Sequence, residues 1–224
     1  MSFGDKKLSE IAVSVPGSTS LLRKYDLDFC CGGSDTLANA AAEKGLNLAE
    51  IETRLIELQN SKAENPEEYW VNATYPEIID HILVRYHQRH REQLQELIVL
   101  ADRVESVHGD REDCPMGVAA ELRNVYEDLS NHMMKEEHVL FPMIKAGNYM
   151  MAQMPIRMME MEHAEHGEHL DVLKSLTNNM TPPADACNTW LALYSGIQEF
   201  IDDLMMHIHR ENNILFPRVI AENH

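Results

Sequence analysis

From Pro76 onward, apolar side chains recur every three to four residues, the period of a helix that buries one face. Leu83, His87, His90, Leu94 and Leu97 share one stripe, and Val118, Val125, Leu129, His132 and Glu136 share a second. Ile156, Met159, His163, His166 and Leu170 make a third, and Leu193, Phe200, Leu204, His207 and Glu211 a fourth. The pattern predicts helices over roughly 76–107, 115–146, 153–177 and 183–212. The breaks "HGDREDCP", "AGNYMMAQMP" and "NNMTPPADA" hold the Gly, Pro and Asn that stop helices. No alternating strand pattern is evident. Long amphipathic helices on short connections give an all-α fold, an antiparallel up-down four-helix bundle.

Before Pro76 the periods are shorter. Residues 1–60 read as a small helical N-terminal domain, in which Ser34 caps a helix closed by Gly45 and Asn47 caps "LAEIETRLIELQ". Between those helices and the chain start lies "KYDLDFCCGGSD", a turn-rich loop with adjacent cysteines. Residues 61–74 are polar and read as a linker, which leaves 75–224 to the bundle.

The four stripes are a repeat. "HMMKEEHVLFP" at 132–142 returns as "HIHRENNILFP" at 207–217, so His132, Glu136, Leu140, Phe141 and Pro142 match His207, Glu211, Leu215, Phe216 and Pro217. "HQRHRE" at 87–92 returns as "HAEHGE" at 163–168. The bundle is therefore two copies of one helical hairpin, each offering histidine from its first helix and His-x3-Glu from its second. A lone histidine on an apolar stripe is usually a satisfied core residue. A glutamate on such a stripe is rarely buried without compensation, and two of them at matched spacing call for a shared cation. Four histidines and two bridging glutamates supply eight donor atoms, enough for two ions with positions to spare. Imidazole and carboxylate without thiolate suit iron, manganese or zinc. Spacing leaves His87 against His90, and His163 against His166, undecided. Asp128 and Asp203, each four residues before the His-x3-Glu histidine, are expected to accept that histidine's second N–H or to line an acidic path, and Glu162 to line that path. Leu-Phe is expected to seal one end of the bundle, with Pro142 and Pro217 bending or ending the helices.

Bulk properties narrow the function classes. A net charge of −18 argues against nucleic acid and anionic membranes as partners. No apolar run suits a signal peptide or a membrane span, so a cytoplasmic protein is expected. Cys30 and Cys31 are adjacent, while Cys114 and Cys187 stand alone, which is not a disulfide framework. The 14 methionines are expected to fill core and form adaptable contact surface rather than bind soft metals.

With "YDLDFCCGG" in front of "HMMKEEHVLFP", the chain resembles the hemerythrin-like proteins of the iron–sulfur cluster repair family, nearly end to end. The resemblance implies a non-haem centre of two iron ions, oxo- and carboxylate-bridged, held by His87, His132, Glu136, His163, His207 and Glu211. It favours His87 and His163 over His90 and His166. It implies repair of iron–sulfur proteins after nitrosative or oxidative damage, with nitric oxide or small oxidants as ligands and Cys30 and Cys31 contacting the client or passing iron. A sensor or carrier of oxygen or nitric oxide, and a di-iron oxidoreductase, are the alternatives; a homodimer stays open. Oxygen-carrying hemerythrins take one acid from His-x4-Asp, where this chain has Asn212, and the symmetric four-His, two-Glu set sets it apart from them.

Overall fold

Capping side chains set where several helices of the N-terminal region begin. The computed structural model describes residues 2–61 and 64–222. Helices α1 (Leu8–Ser14), α2 (Ser18–Lys24), α3 (Leu37–Glu43), α4 (Leu48–Asn60) and α5 (Pro66–Asn72) follow a short 3-10 turn, Phe3–Asp5. Asn47 caps α4 by accepting from the Glu50 amide, as its sequence position predicts. Gly45 takes φ +64° after α3, which closes that helix. The cap of α3 is Thr36, not Ser34. The helix starts late because Leu8 N–H bonds to Asp35 O and Leu37 N–H to Lys6 O, holding residues 35–36 extended.

The rest of the chain makes four rods. The first is α6 (Tyr75–His81), a π-helical turn (Ile82–His87) and α7 (Gln88–His108). The second is α8 (Val118–Lys135), a π-helical turn (Glu136–Leu140) and α9 (Phe141–Lys145). The third is α10 (Tyr149–Leu176), and the fourth is α11 (Asn188–Arg210), a π-helical turn (Glu211–Leu215) and α12 (Phe216–Ala221). No strand occurs among the described residues, and none of their helices is long and apolar enough to cross a membrane.

The chain groups into two compact units, Met1–Ile78 with Met206–His224, and Ile79–Met205. In the first, Leu8, Ile11, Leu22, Phe29, Ile51 and Leu55 form the buried core. The second is the bundle proper. Arg91 reaches Glu137 while Arg123 reaches Asp102, so the first and second rods run antiparallel. His132 meets Glu162 and His169 meets Glu121, which makes the second and third antiparallel. Arg85 meets Asp203 and His108 lies on Trp190, which does the same for the first and fourth. Val118, Leu122, Leu129, Ile156, Leu193 and Phe200 fill the middle.

Three features depart from the sequence reading. The 61–74 segment, read as a linker, contains α5, capped by Asn65 and started by Pro66 at its first turn. Lys62 and Ala63 of that segment, like His224, lie outside the described residues. The third rod begins at Tyr149 and runs through Pro155, and the fourth begins at Asn188, past Pro182 and Pro183. Pro142 and Pro217 end nothing: the second rod continues to Lys145 and the fourth to Ala221. In each case a π-helical turn comes first, in which the amide of Phe141 bonds to Glu136 O and that of Phe216 to Glu211 O. The wider turn gives the proline ring room and places it where its missing N–H is not needed.

Candidate metal centre

In the bundle unit, His87, His132, Glu136 and His163 are all buried. His132, Glu136 and His163 offer donor atoms within 4.8 Å of one another. The Nε2 atoms of His132 and His163 lie 3.1 Å apart, the spacing of neighbouring donors on one ion at about 2.1 Å. Glu136 Oε2 lies 3.3 Å from His87 Nε2 and 3.4 Å from His132 Nε2. Neither oxygen of Glu136 has a hydrogen-bond partner among the described residues. A buried carboxyl group costs free energy unless something compensates it, and a cation ringed by these nitrogens would. His/Glu clusters able to hold a metal are thus present, and the donors fit iron, manganese or zinc.

The other nitrogen of each imidazole decides its tautomer. His87 Nδ1 lies 2.8 Å from Glu137 Oε1, and His132 Nδ1 lies 3.0 Å from Glu162 Oε2. A carboxylate accepts, so each Nδ1 carries the proton and each Nε2 presents its lone pair inward. The His87 hydrogen bond, helped by Arg91 and opposed by partial burial, holds the Glu137 carboxyl down to about 2. The His132 hydrogen bond and Lys135 do the same for Glu162, also to about 2.

Glu162 was expected near an access path; it is the direct partner of His132. Asp128, expected in that role, is 56% exposed and bonded to His169 Nε2 at 3.1 Å. Its position four residues before His132 fixes its face, but the long Glu162 on α10 reaches the imidazole first. Asp203 is buried and held by Arg85 at 2.5 Å and by Gln93 at 3.0 Å. His90 sits against Tyr86 and Phe200 with Nδ1 3.3 Å from Gln93, and His166 packs edge-on to His132. Glu137 was missed, because the matching position in the second half of the repeat is Asn212.

In the first unit, His207 and Glu211 are buried with Nε2 and Oε1 3.3 Å apart. The turn that carries Glu211 is anchored on both sides. Arg210 forms a buried pair with Glu67 of α5. Asn212 donates to Cys30 O at 3.0 Å and Asn213 to Phe29 O at 2.8 Å, so the cysteine loop is tied to residues adjoining Glu211.

Asp28 organises that loop. Its Oδ1 accepts from the amides of Cys30 and Cys31 at 3.0 and 2.9 Å, and its Oδ2 from Gly32 N–H at 2.8 Å. The two sulfurs are 3.9 Å apart with no disulfide between them, and with Asp28 they form a second group of possible metal donors. Hydrogen bonding to Cys31 and burial push the Cys30 thiol well above its ordinary pKa. Gly33 is required by space, since a Cβ there would sit 2.5 Å from Phe29 O. Gly33→Ala is therefore expected to cost about 1–3 kcal/mol and to raise the reaction rate of Cys30 with a thiol reagent. Unchanged melting and thiol kinetics would contradict this account of the loop.

Residues 78–219 match the hemerythrin HHE cation binding domain, and residues 4–59 match a domain of unknown function, DUF542. A Haemophilus influenzae protein called a probable iron-sulfur cluster repair protein is 67% identical over 222 residues, 99% of this chain and 100% of that one. The iron-sulfur cluster repair protein YtfE of Citrobacter koseri is 55% identical over 222 residues, 99% of each chain. That of Escherichia coli is also 55% identical over 222 residues, with the same coverage.

Proposed function

This chain belongs to the hemerythrin HHE cation-binding family, in the branch of the iron–sulfur cluster repair proteins, and from that premise we propose that it repairs iron–sulfur clusters damaged by nitrosative and oxidative stress. In this reading His87, His132, Glu136, His163, His207 and Glu211 would hold two non-haem iron ions. The observation that carries it is Glu136, buried among imidazole nitrogens with neither oxygen hydrogen-bonded.

When bound, iron supplies one-electron chemistry and exchangeable positions for nitric oxide or oxygen species. The chain's own residues set the conditions for that. Glu137 and Glu162 keep His87 and His132 in the Nδ1–H tautomer and raise their donor strength. Phe141, stacked on His87, keeps water from one side of the imidazole. Asp28, Cys30 and Cys31 are the group that meets the damaged cluster or passes iron. The high pKa of Cys30 keeps it a thiol until a metal displaces the proton. The protein works in the cytoplasm in this reading, where its thiols stay reduced.

The test is reactivation. Iron-loaded protein added to an iron–sulfur dehydratase inactivated by nitric oxide is expected to restore turnover, and metal-free protein to restore none. No recovery with the iron-loaded protein would overturn the repair reading.

A further inference from the structure

Helix α10 carries five methionines that neither the bundle nor the metal centre uses. Met150, Met151, Met154, Met158 and Met161 are between 51% and 73% exposed. On the opposite side of the same turns Ala152, Ile156 and Met159 are buried. At about 100° per residue the five exposed side chains share an arc of about 100°, along about 16 Å of helix axis. They are the exposed large apolar residues of these turns, and no leucine, isoleucine, valine or phenylalanine joins them. A face made for apolar contact draws on those residues too, and a solvated face takes charged ones. Methionine brings two properties to all five positions, a flexible chain, which is the basis of the expectation of contact surface, and a thioether sulfur, which the other apolar residues lack and which that expectation set aside.

Thioethers are neutral, soft donors that select Cu(I) over iron, zinc or magnesium. The spacing gathers them into sets. Met150, Met151 and Met154 fall within about one turn, and Met154, Met158 and Met161 follow one another at steps of four and three over about two turns. Side chains three and four apart start from Cβ atoms about 5–6 Å apart, and three flexible torsions let methionine sulfur close that gap. Each trio thus offers three sulfurs to one ion. We propose that the outward face of α10 from Met150 to Met161 is a thioether site for a soft monovalent cation, Cu(I). It is separate from the His/Glu centre and selects a different class of metal.

The experiment compares iron-loaded full-length protein with a variant carrying Met150→Leu, Met151→Leu, Met154→Leu, Met158→Leu and Met161→Leu. Leucine keeps the helix propensity, the bulk and the apolar surface while removing sulfur, so iron content and circular dichroism serve as controls. Cu(I) is titrated anaerobically against a chromophoric Cu(I) chelator. The cysteines and histidines are common to both proteins, so the difference isolates the methionine face. The parent is expected to bind at least one more Cu(I) per chain than the variant, and the methyl resonances of the five methionines to shift when Ag(I) nitrate is added to the parent. Equal Cu(I) binding by both proteins, or methyl resonances that stay put, would overturn the site and leave an apolar contact surface.

Discussion

Replacing Glu136 with leucine should strip the protein of its metal and, in the same variant, raise the melting temperature of the metal-free form. The two effects have opposite signs because Glu136 has opposite energetic roles in the two states. Without metal it is a buried carboxyl group with no hydrogen bond to either oxygen. Such a group costs about 1–3 kcal/mol, more if charged, and leucine of similar size removes that cost. With metal bound, the same group is a ligand. Binding stabilises the fold by about 4 kcal/mol when free metal is a thousandfold above its Kd, and the variant forfeits it. Calorimetry with and without a chelator, alongside iron quantification, reads both effects. At about 2–4 °C per kcal/mol for a chain of this size, the parent should lose several degrees on chelation and the variant none. A purely structural glutamate would behave differently, its removal lowering the melting temperature of the metal-free protein. That result, or a variant with the parent's iron content, would remove Glu136 from the centre. His132→Ala is expected to lose iron as well, without the gain in metal-free stability.

The sequence exposes this centre unevenly, for physical reasons. The helical period and the repeat bring out His132, Glu136, His207 and Glu211, and the pairs His87/His90 and His163/His166, because each is a polar residue on a face that should be apolar; within those pairs only the family resemblance favours His87 and His163. They say nothing of which side chain from a neighbouring helix reaches an imidazole. Asp128 lies on the right face yet bonds to His169, while Glu162, on the next helix, reaches His132. Glu137 is hidden because a repeat shows only what both halves share, and the second half has Asn212 there. The π-helical turns at His87, Glu136 and Glu211 are invisible to a fixed period of 3.6. The signal available was Pro142 and Pro217 inside patterns that continue past them. Helix α5 was legible in principle from Asn65 and Pro66, an N-cap followed by a first-turn proline, but the acidic composition around them reads as linker.

Glu67→Ala should destabilise the first unit by about 3–5 kcal/mol, the cost of stranding one member of a buried ion pair. Glu67 and Arg210 are both buried and joined by two hydrogen bonds, and the Arg210 guanidinium lies over Trp70 at 4.8 Å. His209 adds a third group. Its Nδ1 accepts from Asn213 at 2.8 Å, so its Nε2 carries the proton and faces Glu67 at 3.5 Å. Burial pushes the Glu67 carboxyl up, but His209 and Arg210 outweigh it and hold the pKa below its ordinary value. A carboxyl depressed in the folded state stabilises above its unfolded pKa, about 4.3. That contribution is lost as pH falls through the lower folded value. The gap between parent and Glu67→Ala in urea unfolding should therefore be full at pH 7 and narrow below pH 4, where the parent loses what the variant never had. Its size at pH 7 corresponds to a fall in melting temperature on the order of 10 °C. Pairing Glu67→Leu with Arg210→Met removes both charges and keeps an apolar group against Trp70. The double variant should recover most of the loss, as buried pairs replaced whole by apolar residues commonly do. Because Arg210 adjoins Glu211, the single variant should also loosen the turn that presents Glu211, and if Glu211 holds iron as proposed, iron content should fall with stability and return in the double variant. A single variant that melts with the parent at pH 7 would show that the pair anchors nothing.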